Sequence, residues 1–279
     1  MSEIHDPFKT RQHVADFDAI VERYGIMSDA TRASKRHVLD IAYGADGDER
    51  LDIFFPASDG KPMPVHIFIH GGYWRANRKE DYAFVAESIC AGGAIAVVIE
   101  YSLMPKVRMA HIVKQVRRAA DWVSGNIAGH GGDPSRLSAS GHSAGAHLAS
   151  YLGARGPHET APLKTPVRSL LLVSGLYQLE PLTKSFLQAE IGLTQQEVDR
   201  WSPYDAQPVE DIKATLVVGE DETEPFHKQA EDYATLRAAR GTRARRFVLP
   251  GLNHMSIISE MGNPQTVLAS LVAETIARS

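Results

Sequence analysis

The sequence predicts an α/β protein with a mainly parallel central sheet of about eight strands and helices on both faces. Two observations carry this. Apolar runs such as "VHIFIH" (65–70) and "AIAVVIEY" (94–101) are almost uninterrupted, as in strands covered on both sides. Between such runs lie helix-period segments closed by glycine, so the pattern alternates strand and helix.

In chain order, a polar, partly helical leader (1–34) precedes two β-like runs, "RHVLDIAYG" and "ERLDIFFPA", joined by the turn-rich "ADGD" as a hairpin. The strand 65–70 follows, then the helix "KEDYAFVAESICAGG" and the strand 94–101. "MAHIVKQVRRAADWVSGNI" is a helix with Ile112, Val116, Ala119, Ala120 and Val123 on one face. "RLSASGHS", "VRSLLLVSG", "ATLVVGE" and "RARRFVLPG" read as strands. "AGAHLASYLGARG", "PFHKQAEDYATLRAARG" and "PQTVLASLVAETIARS" read as helices. Residues 176–210 break the rhythm with short helical pieces and several prolines. This cap-like insertion between core strands is either a small lid or pocket wall, or a surface excursion packed for stability. With no repeats and no interdomain linker, residues 1–279 read as a single domain.

Apolar content of 43%, charged content of 23% and a formal charge of -4 with interspersed signs suit a soluble globular protein and give no nucleic-acid or membrane surface. The polar N-terminus lacks the apolar core of a secretory signal, and "SLLLVSGLY" is far too short to span a bilayer. The single cysteine, Cys90, in an amphipathic stretch, reads as a packing thiol in a reducing, cytoplasmic setting.

The sharpest local signal is Gly141-His142-Ser143-Ala144-Gly145, a G-x-S-x-G between a β-like and a helical run. A serine on such a turn points its hydroxyl away from the sheet beside the free N–H groups of a new helix, and its glycine neighbours must be tiny. Serine needs a base, and the base an orienting acid. His254 follows a strand in "LPGLNHMSII", and "VVGEDETEPF" places acids after another. The order Ser, acid, His is that of α/β-hydrolases. Asp221 and Glu222 are adjacent, so only one can face the imidazole. Aspartate is the commoner acid, but the acid often stands three residues after the glycine ending this strand; from Gly219 that selects Glu222, with Asp221 as the alternative.

An oxyanion formed at Ser143 needs donors. One is the N–H of Ala144, and the other comes from the loop after the third strand, where "HIFIHGGYW" (66–74) falls. We assign Gly72 and Tyr73 there, read His70 as an internal brace, and expect Tyr73 and Trp74 as an apolar wall, with His142 also beside the substrate. His66 and His70 are four apart on a strand and lack metal-site context, and no helical H-x-x-x-H encloses an acid, so no metal is expected. Phosphate-cradling and dinucleotide motifs are missing, so no cofactor is expected.

"HGGYW", "GHSAGAHLA", "LDIFFP" and "GGDPSRL" together resemble the kynurenine formamidase (arylformamidase) group of α/β-hydrolases, beside the hormone-sensitive-lipase-like esterases. The likeness runs from about residue 36 to the C-terminus and includes "SGLYQLEPL" and "PFHKQ". It implies a metal-free Ser–Asp/Glu–His triad on Ser143, Glu222 and His254, acting on N-formyl aryl amides or small esters, and it allows a homodimer. Animal members usually carry Asp at the acid position, so Glu222 is a departure. Gln178 stands where relatives often have an acid, which implies an altered pocket.

The expected function is therefore a serine hydrolase of the carboxylesterase/arylformamidase type. A dedicated N-formylkynurenine formamidase is the alternative. A non-catalytic ligand-binding scaffold is remote, because such proteins typically lose a triad member.

Overall fold

Eight strands form one sheet in a computed structural model that describes residues 6–57, 60–165, 167–242 and 244–279. The first five residues of the expected leader, and Arg243 of the expected last strand, lie outside the described residues. The strands are β1 (His37–Ala42), β2 (Arg50–Phe54), β3 (Met63–Ile69), β4 (Ile95–Ile99), β5 (Gly132–His142), β6 (Ser169–Val173), β7 (Lys213–Gly219) and β8 (Ala244–Leu249). Their order is β1-β2-β4-β3-β5-β6-β7-β8. The hairpin of β1 with β2 and the pairing of β2 with β4 are antiparallel, and the remaining pairs are parallel.

Every residue of β4 is buried, and all of β3 except Pro64. This explains their unbroken apolar sequence. Alternate side chains feed two cores. Val65, Ile67, Ile69, Val97 and Ile99 pack with α3 (Met109–Asn126) and α4 (Ala144–Ser150). Phe68, Ala96, Val98, Leu171 and Val217 pack with α1 (Phe17–Ser34), α2 (Ala86–Ala91) and α9 (Val267–Ala277). Each large apolar side chain fully buried this way contributes about 1.5–3 kcal/mol.

The segment read as one helix from Lys79 winds as a 3-10 helix to Val85 before becoming α2. Tethers at its start favour the tighter turn: Lys79 is buried, its ammonium meeting Asp40, Asp52 and Glu80 and its N–H meeting Glu100. The insertion holds a 3-10 turn (Glu180–Lys184), α5 (Gln188–Ile191) and α6 (Gln195–Trp201). Helices α7 (Glu224–Ala239) and α8 (Ser256–Ser259) follow β7 and β8. Among the described residues, no helix is long and apolar enough to cross a membrane.

Candidate active site

Ser143 sits between β5 and α4 at φ 56°, ψ -120°, a strained conformation for a residue with a side chain. The two glycines around it are steric necessities. A Cβ on Gly141 would lie 2.2 Å from the Gly145 carbonyl oxygen, and one on Gly145 would lie 2.0 Å from that of Ile69. Gly145→Ala is therefore expected to lose about 3 kcal/mol or more in urea unfolding, because helix and strand must separate. Gly125→Ala, with open space around the new methyl, is the control and should be neutral or stabilising.

Parallel register pairs Ile69 with Gly141, so continuing both strands brings Gly71 beside Ser143. A Cβ on Gly71 would lie 3.2 Å from that of Ser143. The loop beyond is unusual: Gly72 has φ 110°, and Tyr73 and Trp74 have φ 51° and 58°. Such angles in non-glycine residues cost about 1–3 kcal/mol each and mark a backbone held for a purpose. Among the described residues, the N–H groups of Gly72, Tyr73 and Ala144 meet no acceptor. The same is true of Gly71 and Trp74.

His70 braces this loop. Its Nδ1 donates to the Gly71 carbonyl at 2.8 Å, its Nε2 donates to Glu100 at 2.9 Å, and its ring stacks on Tyr101 at 4.3 Å. Burial opposes a charge here, but Glu100 and the Gly71 carbonyl outweigh it, so the imidazole pKa lies above its ordinary 6.5. Glu100 is held below its ordinary value; burial raises it, and His70 overrides that. The stability from His70 is thus complete below pH 6.5 and lost as pH rises through its folded pKa; that from Glu100 is lost on the acid side. His70→Leu should lower Tm most near pH ~6 and less near pH ~9, which a melting series checks.

Glu222 lies on the turn after β7. Its Oε1 accepts from Ser174 Oγ at 2.5 Å and from Gly219 N–H at 2.8 Å, and its Oε2 accepts from His254 Nδ1 at 2.6 Å. The alternative acid, Asp221, is exposed, and its N–H donates to the Leu252 carbonyl. A carboxylate at Nδ1 requires the proton there, which leaves His254 Nε2 as the unprotonated nitrogen. The His254 ring rests on Phe226 at 4.3 Å. Its carbonyl accepts from His142 Nε2 at 2.8 Å. Burial, then the neighbouring His254, holds His142 well below the ordinary histidine pKa, so it is neutral.

Ser143, His142, Gly72, Tyr73 and His254 line one cavity of about 560 Å³. No hydrogen bond joins Ser143 Oγ to His254 Nε2 among the described residues; such bonds are often long in free enzymes and tighten on substrate. Trp74 departs from its expected place as a pocket wall. It is wholly buried, absent from the cavity lining, and donates through Nε1 to His147 Nδ1 at 3.2 Å, edge-on to that ring. Its bulk anchors the loop onto α4 instead, with His147 donating in turn to the Trp201 carbonyl. Gln178 also stays outside the cavity lining, its N–H held by Gln229.

The leader supplies much of the roof, which sequence reading missed. Lys9, Arg11, Phe17, Val21 and Tyr24 line the cavity. The chain around Phe8 ties three loops together: Tyr73 donates to the Phe8 carbonyl, Thr223 to that of Pro7, and Phe186 N–H to Asp6. Tyr24 donates to the Met255 carbonyl, next to His254. From the 176–210 insertion, Phe186 and Glu190 reach the lining, and Glu190 pairs with Arg75. The sequence does not mark Gln229 for this region, and only a serine straight after a strand hints at Ser174.

Sheet order, elbow turn and the His–Glu pair define the α/β-hydrolase class. The family model BD-FAE matches residues 51–189. Kynurenine formamidase of Danio rerio is 28% identical over 278 residues, covering 96% of this chain and 89% of that protein. Esterase LipQ of Mycobacterium tuberculosis is 44% identical over 115 residues, 39% of this chain and 27% of that protein. A Silicibacter sp. structure described as a thioesterase superposes with TM-score 0.84 at 24% identity, covering 97% and 98% of the two chains. The chain has the sheet order of the α/β-hydrolase fold and is similar over nearly its whole length to kynurenine formamidases.

Proposed function

We propose that this chain is a metal-independent serine hydrolase that cleaves small carboxylic esters or activated formyl aryl amides through an acyl-enzyme, acting in the cytoplasm as one α/β-hydrolase domain. The observation that carries the reading is a strained Ser143 facing the same cavity as a His254 whose Nδ1 is held by Glu222. In the reaction, His254 Nε2 takes the Ser143 proton as Oγ attacks the carbonyl carbon. The oxyanion is met by the N–H groups of Ala144, Gly72 and Tyr73, which have no acceptor among the described residues. His254 then protonates the leaving amine or alcohol. Water, deprotonated by His254, attacks the acyl-enzyme and releases the acid. Cys90, buried with its thiol pushed up to about 12, takes no part.

A dedicated formamidase of N-formylkynurenine is the second reading. It is favoured by aromatic side chains around the cavity (Phe17, Tyr24, Tyr73, Tyr82 and Phe186), which suit a planar aryl amine, and by near full-length likeness to kynurenine formamidases. Steady-state hydrolysis of N-formylkynurenine beside p-nitrophenyl acetate and butyrate tests both. Turnover of all three is expected, and a large kcat/KM advantage for the formamide selects the second reading. No hydrolysis of any of them would defeat both.

A further inference from the structure

Behind the acid loop, α7 carries Gln229, Tyr233 and Arg237 four residues apart, a spacing that sets side chains along one helix face. All three are buried, as are Tyr151 and Tyr177 opposite. Tyr233 is the hub. Its ring stacks on Tyr177 at 4.3 Å and 15°, and the Arg237 guanidinium carbon lies 5.8 Å from its centroid. Tyr151 is in electrostatic reach of Tyr233, and Tyr177 of Arg237.

The hydrogen bonding of this cluster is one-sided. Gln229 Oε1 accepts from the N–H groups of Tyr177 and Gln178 at 2.6 and 2.9 Å, which fixes the amide and leaves Nε2 as a donor. Arg237 Nη2 donates to the Ile212 carbonyl at 3.1 Å. Among the described residues, Gln229 Nε2, Arg237 Nε and Nη1, and the hydroxyls of Tyr151 and Tyr233 have no partner, and the Tyr177 hydroxyl, which lies against the Gly175 backbone, has no acceptor for its proton. Burial pushes the Tyr151 and Tyr177 hydroxyls well above the ordinary range, so they stay protonated. Among the described residues, the acids in electrostatic reach of Tyr151 and Tyr177 are engaged elsewhere or in water: Glu159 with Arg117, Glu222 with Ser174 and His254, and Asp205 exposed.

Water would satisfy these donors but leave the guanidinium charge unpaired in the interior, which folded proteins avoid. We propose that Arg237, Gln229 and the hydroxyls of Tyr151, Tyr177 and Tyr233 form a buried site for a halide-sized monovalent anion. The burial of all five side chains disfavours larger or multiply charged anions, which must shed more hydration. The ion would stiffen the Tyr177–Gln178 segment that follows Ser174. This site does not depend on the hydrolytic reading.

The test is thermal unfolding of the full chain in sodium chloride, sodium bromide and sodium gluconate at matched ionic strength, with crystals grown in bromide. Tm should rise with the logarithm of halide concentration by a few degrees over gluconate, and an anomalous bromide peak should lie at Arg237. Arg237→Met should abolish the halide dependence. Should that variant fail to fold, Tyr233→Phe, which removes one donor, should weaken it. A halide-independent Tm, an unchanged halide response in either variant, or water alone at Arg237 in bromide crystals would overturn the proposal.

Discussion

Ser143→Ala should reduce turnover of ester and formamide substrates by about 10³- to 10⁶-fold while leaving the fold intact. The loss follows from chemistry, since Ser143 is the hydroxyl that the elbow sets in the cavity beside the free N–H groups of Gly72, Tyr73 and Ala144. The fold should survive because Ser143 Oγ makes no hydrogen bond among the described residues, and the backbone bond from Ser143 N–H to the Val173 carbonyl is unaffected. Alanine keeps the positive φ and its strain, so the urea midpoint should hardly move. Ser143→Gly is equally inactive but tolerates φ 56°, so it should gain up to about 1 kcal/mol. Activity surviving in either variant would remove Ser143 from the mechanism, and a lower midpoint in Ser143→Gly would show that no strain is stored at the elbow.

Much of the sheet and the site was legible because the determinants are local. β3 and β4 advertise burial on both faces by lacking polar residues. The elbow needs Gly141 and Gly145 at fixed offsets from Ser143 because Cβ atoms there would strike backbone oxygens. The count from Gly219 lands on the carboxylate that meets His254 because that glycine is itself pinned: a Cβ on it would meet the Leu252 carbonyl at 2.1 Å, locking the acid turn against the loop that bears His254. What escaped was non-local. Phe17, Val21 and Tyr24 stand at helical spacing on α1, but nothing in that spacing says the face turns to a cavity whose other walls begin at Gly72. Trp74 follows Tyr73 directly, and two neighbouring aromatics look alike in sequence. The left-handed backbone at both turns them to opposite sides, one lining the cavity and one under α4. Ser174 takes φ 52°, which aims it at Glu222, and no feature of "LLLVSG" announces that angle.

Glu222→Gln should lower kcat by about 10⁴-fold with little change in stability, and the hydrogen bonds around the carboxylate say why so conservative a change is so costly. Gly219 N–H can only donate, and it faces Oε1 together with Ser174. A glutamine must therefore keep its carbonyl oxygen there, which turns its NH₂ toward His254 Nδ1. That nitrogen would then have to accept, placing the imidazole proton on Nε2, so the ring could no longer take a proton from Ser143. Asp221→Asn should stay within about twofold of the parent, because its side chain is exposed and contacts neither ring nitrogen. Glu222→Asp shortens the reach by one methylene and should fall between, losing the bond to Nδ1 or those to Gly219 and Ser174, since it cannot span both. Kinetics of the three variants decide the acid: a severe loss in Asp221→Asn beside a mild one in Glu222→Gln would move the role to the neighbouring residue. Near-parent activity in both would mean that His254 is oriented by its Phe226 stacking and its backbone bond from His142 alone.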